Sequence, residues 1–229
     1  MIRLARDFAT EEALRCSFET HFIPSLITKI TYSQTRSARE SVCSDGHADL
    51  VWAGFHATTA KRDVFHKSCA ALQDSAASVI VRHLNSLQVA TTERIASETW
   101  LSVGYVARHL NHLAEADAVV RCDAGWKLNQ RFSIPRCEIV AFEFKLFAWK
   151  RAIVQASRYR AFANRVYVVM PLSSVHRAVA HLEFFQAANV GLIGHSSEGG
   201  FQFFLRPRKH RPDSQSSHLR AIAWLMSQP

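Results

Sequence analysis

Apolar residues in this chain recur every third or fourth position in some stretches and every second in others, and this divides it into helices and strands. Leu14, Phe18 and Phe22 repeat every fourth residue behind Thr10-Glu11-Glu12, a capping hydroxyl followed by acids at the positive end of a helix dipole; Pro24 marks the expected exit. Ile27 to Tyr32 reads as a strand and Asp45-Gly46 as a turn. His47 to Phe55 then reads as a second strand, with Asp49, Val51, Ala53 and Phe55 on one face. Leu72 to Leu87 is helical through Val79, Ile80, Leu84 and Leu87. Thr91 opens a short helix ending near Ser97, and a turn follows at Glu98 to Leu101. Ser102 caps a longer helix in which Val103, Val106, Leu110 and Leu113 point inward. Val119 to Cys122 and Trp126 to Leu128 read as a hairpin around Asp123-Ala-Gly125.

Ile139 to Phe147 is the most apolar run, with strand length and strand composition. Alternation places Val140, Phe142, Phe144 and Leu146 on one face and Ile139, Ala141, Glu143, Lys145 and Phe147 on the other. A strand apolar on both faces is normally buried, and an unpaired buried carboxylate or ammonium costs several kcal/mol. Glu143 and Lys145 are therefore either a structural ion pair or part of a site in which the acid binds a metal at a strand end. Beyond them, Trp149 to Ala163 is helical, with Ala152, Gln155, Ala156 and Tyr159 on one face. Arg165 to Met170 is a strand closed by Pro171, Ser174 to Ala187 an amphipathic helix, and Val190 to Ile193 and Phe201 to Arg206 strands. Arg206-Pro-Arg-Lys-His-Arg-Pro212 is basic, either a phosphate contact or a solvated tail, and a short helix is expected over His218 to Met226.

Composition narrows the function classes. The formal net charge is +9 across 229 residues, a surplus that points to a polyanionic partner, most simply nucleic acid. No apolar run is long enough to span a bilayer, and Met1-Ile-Arg-Leu-Ala-Arg-Asp lacks the apolar core of a signal peptide. The five cysteines (16, 43, 69, 122, 137) are scattered and odd in number, which argues for reduced thiols and a cytoplasmic setting. His109 and His112 have no cysteine or acid at zinc-ligand spacing and read as helix-surface residues.

Two resemblances organise these elements. After the helix over Leu72 to Leu87, Thr92-Glu-Arg-Ile-Ala-Ser and Leu101-Ser-Val-Gly-Tyr-Val-Ala-Arg-His-Leu-Asn-His-Leu supply two more helices and Val119-Val-Arg and Gly125-Trp-Lys-Leu a hairpin, an order that resembles a winged helix-turn-helix domain. The resemblance implies that the third helix enters the DNA major groove, with Tyr105, Arg108, His109 and His112 on its outer face and Arg121 and Lys127 on the wing. A small helical domain used for dimerisation is the other reading of the same pattern.

With that segment set aside, the order is helix, strand, strand with Asp49, strand with Glu143-Phe-Lys145, helix with Gln155, strand. This resembles the PD-(D/E)xK nuclease superfamily: Asp49 matches its first acid, Glu143 and Lys145 its acid-x-lysine, and Gln155-Ala-Ser-Arg-Tyr159 its Gln-x-x-x-Tyr helix. Ala48 stands where that motif has proline, and the long gap between Asp49 and Glu143 holds the inserted segment. The resemblance implies an α/β (α+β) restriction-endonuclease-like fold, a mixed central sheet flanked by helices. The expected parts are a core over 1–60 and 134–206, an inserted winged helix over 61–133, and a basic, serine-rich tail with a short helix over 207–229.

It further implies metal-dependent DNA cleavage, with Mg²⁺ or Mn²⁺ held by Asp49, Glu143 and the Phe144 carbonyl, and Lys145 positioning the attacking water. Gln155 would orient Lys145 or the nucleic acid, Tyr159 would support it, and Glu11 (or its neighbour Glu12) would be the acid of the first helix. Double-stranded DNA is the expected partner, with a homodimer possible in either reading. A DNA-binding regulator that keeps the fold without cleaving is the alternative.

Overall fold

Thr10 caps the first helix as its sequence predicts, its Oγ1 accepting a hydrogen bond from the Ala13 N–H at 3.0 Å. That helix, α1 (Glu11–Ile27), begins the chain of elements in a computed structural model that describes residues 7–27, 32–43, 46–56 and 62–228. It runs past Pro24, which removes one intrahelical N–H but does not end the helix. The expected strand over Ile27 to Tyr32 is therefore not where it was placed: Ile27 is helical, and the strand before the turn is β1 (Gln34–Cys43). The start Met1–Arg6, residues 28–31 and the turn residue Asp45 lie outside the described residues.

The chain forms two compact units. The first comprises Met1–Gly54 and Glu138–Asp213; the second comprises Phe55–Cys137 and Ser214–Pro229. In the first, β1 is followed by β2 (Gly46–Phe55), and four more strands complete a six-stranded sheet. In the numbering of the whole chain these are β6 (Cys137–Phe144), β7 (Arg165–Pro171), β8 (Gly191–His195) and β9 (Phe201–Leu205). The strand order is β1-β2-β6-β7-β8-β9; β6, β7 and β8 run parallel and β9 antiparallel to β8. Three strands buried on both faces explain the near-continuous apolar runs of β6, β7 and β8.

Helix α1 lays Leu14, Phe18 and Phe22 on one face of this sheet, in a cluster with Leu50, Trp52, Phe142, Phe144 and Val169. Beyond β6 come α6 (Trp149–Arg158), a 3₁₀ turn over Tyr159–Ala161 and α8 (Leu182–Ala188), which pack among β7, β8 and β9. Where one helix was expected over Trp149 to Ala163, the last turn tightens to 3₁₀. The single helix expected over Ser174 to Ala187 is α7 (His176–Val179) and α8, broken at His181 (φ −134°, ψ 36°), whose ring stacks on Trp149 at 4.8 Å. A tertiary contact here outweighs local helix preference.

The second unit contains α2 (Arg62–Leu72), α3 (Ser75–Leu87), β3 (Val89–Ala90), α4 (Thr92–Thr99), α5 (Val103–Glu115), β4 (Val119–Cys122), β5 (Gly125–Leu128) and α9 (Gln215–Ser227). The helix expected over Leu72 to Leu87 starts only at Ser75, because Asp74 caps it by accepting from the Ala77 N–H at 3.0 Å. Thr91 and Ser102 cap α4 and α5 in the same way. The hairpin β4–β5 gains a third strand, β3, in the order β3-β5-β4; two residues between helices carry too little pattern to be read as a strand. The C-terminal stretch is not a tail: α9 buries Leu219, Ile222 and Leu225 and packs on α2 and α3. Among the described residues no helix is long and apolar enough to cross a membrane.

Candidate functional site

Strand β6 ends at Phe144 rather than Phe147, so Glu143 is its penultimate residue and Lys145 lies just beyond it. The Lys145 N–H still donates to the Val169 carbonyl of β7 at 3.1 Å, which fixes the turn-off point. Neighbouring β2 brings Asp49 alongside: its Oδ2 accepts from the Phe144 N–H at 2.8 Å, across 95 residues of sequence. Asp49 thus holds the strand end that carries the other two groups. Its Oδ1 has no hydrogen-bond partner among the described residues.

Glu143 is 1% exposed, and each of its oxygens has a neighbour. Oε1 lies 2.8 Å from the Lys145 ammonium and Oε2 lies 2.5 Å from the Tyr159 hydroxyl. That hydroxyl is also 2.6 Å from the His47 carbonyl. A phenol has one proton, so it can donate to only one of these oxygens at a time. Tyr159 therefore shares its one proton between Glu143 Oε2 and the His47 carbonyl, tying the carboxyl group to the backbone of β2. Burial raises the Glu143 pKa above the ordinary carboxylate value, with the Asp49 charge adding to it, against Lys145 and Tyr159. Burial likewise raises Asp49, against the Phe144 N–H and Lys145. The Tyr159 phenol is pushed far up by burial and by Glu143, and stays protonated.

Lys145 completes the arrangement. Its Nζ contacts Glu143 Oε1, Glu11 Oε2 at 3.2 Å and the Phe144 carbonyl at 3.0 Å. Burial alone would lower its pKa, but Glu143, Asp49 and Glu11 outweigh burial and hold it raised. The ammonium sits among hard oxygen atoms of the type that Mg²⁺ or Mn²⁺ prefers. Among the described residues no three His, Cys, Asp or Glu side chains converge on a metal position, the carboxylates around Lys145 included. The oxygens are of the right chemical type for such a cation, but the Lys145 ammonium occupies their midst and would have to move aside for them to hold one.

Of the residues singled out in the sequence, Glu11, Asp49, Glu143, Phe144, Lys145 and Tyr159 come together. Gln155 does not join them by any hydrogen bond, and its Oε1 is buried without a partner among the described residues. Beside Asp49 a cavity of ≈ 90 Å³ is lined by Glu11, Glu12, Arg15, Asp49 and Phe144. Arg15 was not foreseen, although it lies one helical turn after Glu11 on α1; it is buried and ion-paired with Glu12 and with Glu19 at 2.9 Å.

In the second unit, Tyr105, Arg108 and His112 lie toward the surface of α5, and the Arg108 guanidinium rests over the Tyr105 ring at 5.0 Å. His109, expected on that face, is buried and reaches Asp74 at 3.5 Å. It sits three residues after Val106 and four before Leu113, within the apolar stripe itself. Val103, expected to point inward, is 46% exposed: in the first turn its side chain points back toward the helix start, where Ser102 is exposed too. Arg121 is exposed on β4, and Lys127 is half-buried on β5.

The raised carboxylate pKa values make stability depend on pH. A group that binds its proton more tightly folded than unfolded stabilises the fold below the ordinary carboxylate pKa and loses that contribution as pH rises through the higher folded value. Glu138, lowered because Lys209 and Arg165 outweigh its burial, acts in the opposite sense. Glu143→Gln is therefore expected to lose less stability than the wild type between mildly acidic and neutral pH. Chemical denaturation of both proteins across that range checks it; parallel curves would refute it.

No family model, curated protein or solved structure matches this chain.

Proposed function

We propose that this protein is a divalent-metal-dependent nuclease of the PD-(D/E)xK type, with Asp49, Glu143 and Lys145 as its centre. The observation that carries the reading is the charge balance at one strand end. Glu11, Asp49 and Glu143 gather around a single ammonium, Lys145, which leaves a surplus of two negative charges when all are ionised. Burial raises the pKa of both Asp49 and Glu143, so charging them is costly there. A divalent ion would restore balance there, and when bound it would neutralise phosphoryl oxygens and acidify a water. Asp49, Glu143 and the Phe144 carbonyl would hold it, with Glu11 beside them. Tyr159 keeps Glu143 Oε2 oriented, and Lys145 Nζ, released from Glu143 Oε1, donates a hydrogen bond to the attacking water or a phosphoryl oxygen.

The second unit supports DNA as the substrate through its capped helix pair, its three-stranded sheet and the outward Tyr105, Arg108 and His112 of α5. Arg108→Ala is expected to weaken DNA binding about tenfold without lowering stability, as for the loss of one phosphate or base contact. His109→Ala is expected to cost about 1 kcal/mol of stability and leave affinity unchanged. Fluorescence anisotropy with labelled duplex and thermal melting check the two; the reverse pattern would return His109 to the binding face.

One observation favours a second reading, a DNA-binding regulator that does not cleave: the Lys145 ammonium already fills the oxygen cage. Incubation with linear duplex and single-stranded DNA and Mg²⁺ or Mn²⁺ separates the two. Cleavage leaving 5′-phosphates, abolished by EDTA and by Glu143→Gln, is expected. DNA binding without cleavage of either substrate in either metal would leave only the regulator.

A further inference from the structure

A cleft of ≈ 720 Å³ opens in the first unit, lined by Gln186, Asn189, Arg206, Arg208, Lys209 and His210 among others. Strand register places it away from the carboxylates. Because β9 runs antiparallel to β8, Phe201 lies beside His195 and Leu205 beside Leu192. The chain therefore leaves β9 at the edge of the sheet where the parallel strands begin, whereas Glu143 and Lys145 stand where β6 ends.

The basic segment after β9 is built into the fold. Asn189, the left-handed cap of α8, clamps Arg208 on both sides: its Oδ1 accepts from the Arg208 N–H at 2.8 Å, and its Nδ2 donates to the Arg208 carbonyl at 2.9 Å. His210 exchanges two bonds with Asn164, and the Pro207 carbonyl accepts from Arg165 at 3.2 Å. Holding five basic-segment residues in one geometry costs backbone entropy that a solvated tail would not incur.

The charges of this wall are only partly compensated. Lys209 pairs with Glu138 at 2.6 Å, but Glu138 also takes Arg165 at 2.8 Å. The Arg206 guanidinium carbon lies over the Phe203 ring, 3.5 Å from its centroid, and neither Arg206 nor Arg208 has a carboxylate partner among the described residues. His210 keeps both ring nitrogens buried and without a hydrogen-bond partner among the described residues. Unsatisfied buried polar groups and unpaired guanidinium forks are both relieved by an oxygen-rich anion. The volume lies in the range of small-molecule and cofactor sites, about 300–1,000 Å³, and suits one nucleotide rather than a duplex.

We propose that this cleft binds the phosphate groups of a nucleotide, either free or within a single strand, through Arg206 and Arg208, with Lys209 and His210 beside them. The proposal does not depend on the reading of the carboxylate site. Isothermal titration of the full chain with ADP and, separately, with a short oligothymidylate tests it. Arg206→Ala/Arg208→Ala is expected to raise the dissociation constant by at least ~10-fold for whichever probe binds, while Glu143→Gln leaves ADP affinity unchanged. Binding of ADP assigns the site to free nucleotides; binding of the oligonucleotide alone assigns it to backbone phosphates. Arg208→Glu serves as the second variant, because this exposed side chain packs in no core, and a melting temperature within a few degrees of wild type is expected for it. Failure of both probes to bind, or affinities unchanged in Arg208→Glu and in the double variant, would overturn the proposal.

Discussion

Lys145→Ala is expected to lower metal-dependent DNA cleavage by at least ~10²-fold, the range for loss of a positioned proton-transfer or charge-stabilising group. Two effects combine. The ammonium that would contact the attacking water is lost, and Glu143, 1% exposed, keeps no cationic neighbour to favour its ionised form. Its pKa, already raised by burial, rises further, so cation affinity falls with the rate. Lys145→Arg separates the effects: it keeps the charge beside Glu143 but not the compact ammonium geometry. The expected result is a low kcat with near-normal metal dependence in the arginine variant and defects in both in the alanine variant. Cleavage within threefold of wild type in Lys145→Ala would remove Lys145 from the site.

Phe18→Ala is expected to cost about 3–5 kcal/mol, among the largest effects of any single truncation here. Phe18 is fully buried and meets four rings: Phe22 stacked at 4.3 Å, and Phe142, Phe144 and His195 edge-on at 5.2, 5.4 and 5.5 Å. The cost is a large share of the roughly 5–15 kcal/mol that stabilises a typical domain. It also reaches the site, because α1 carries Glu11 to Lys145 and Phe144 forms the strand end bonded by Asp49. Urea denaturation followed by tryptophan fluorescence reports it, since Trp52 belongs to the same cluster. Phe184→Ala, at a residue 54% exposed, is the control and is expected to change stability by no more than about 0.5 kcal/mol. Equal effects at Phe18 and Phe184 would contradict this account of the core.

Local signals carried much of the element reading. Hydroxyl and acid caps at Thr10, Thr91 and Ser102 start helices where expected, because a cap satisfies N–H groups within three residues of itself. Strand alternation put Asp49 and Glu143 on faces opposite Leu50 and Phe142, and both faces follow from the pleat alone. His109 shows the limit of inspection rather than of information: its spacing from Val106 and Leu113 already placed it inward. The break at His181 and the three-stranded form of the small sheet were not legible, since both depend on partners distant in sequence.

The Glu143–Lys145 pair divides the two kinds of knowledge. Composition and period were enough to say that two charges lie in a buried strand and need compensation, because desolvation is a property of the run itself. What compensates them was open, and only the tertiary structure decided it. Pairing of β2 with β6 brings Asp49 to the Phe144 N–H, the packing of α1 brings Glu11 to the ammonium across 134 residues, and the 3₁₀ turn delivers Tyr159 to Glu143. Those partners come from segments whose own patterns are satisfied by burial of their apolar faces. Nothing local in them records which charge they will meet, because electrostatic contacts are set by where the packed elements end and not by the periodicity that packs them.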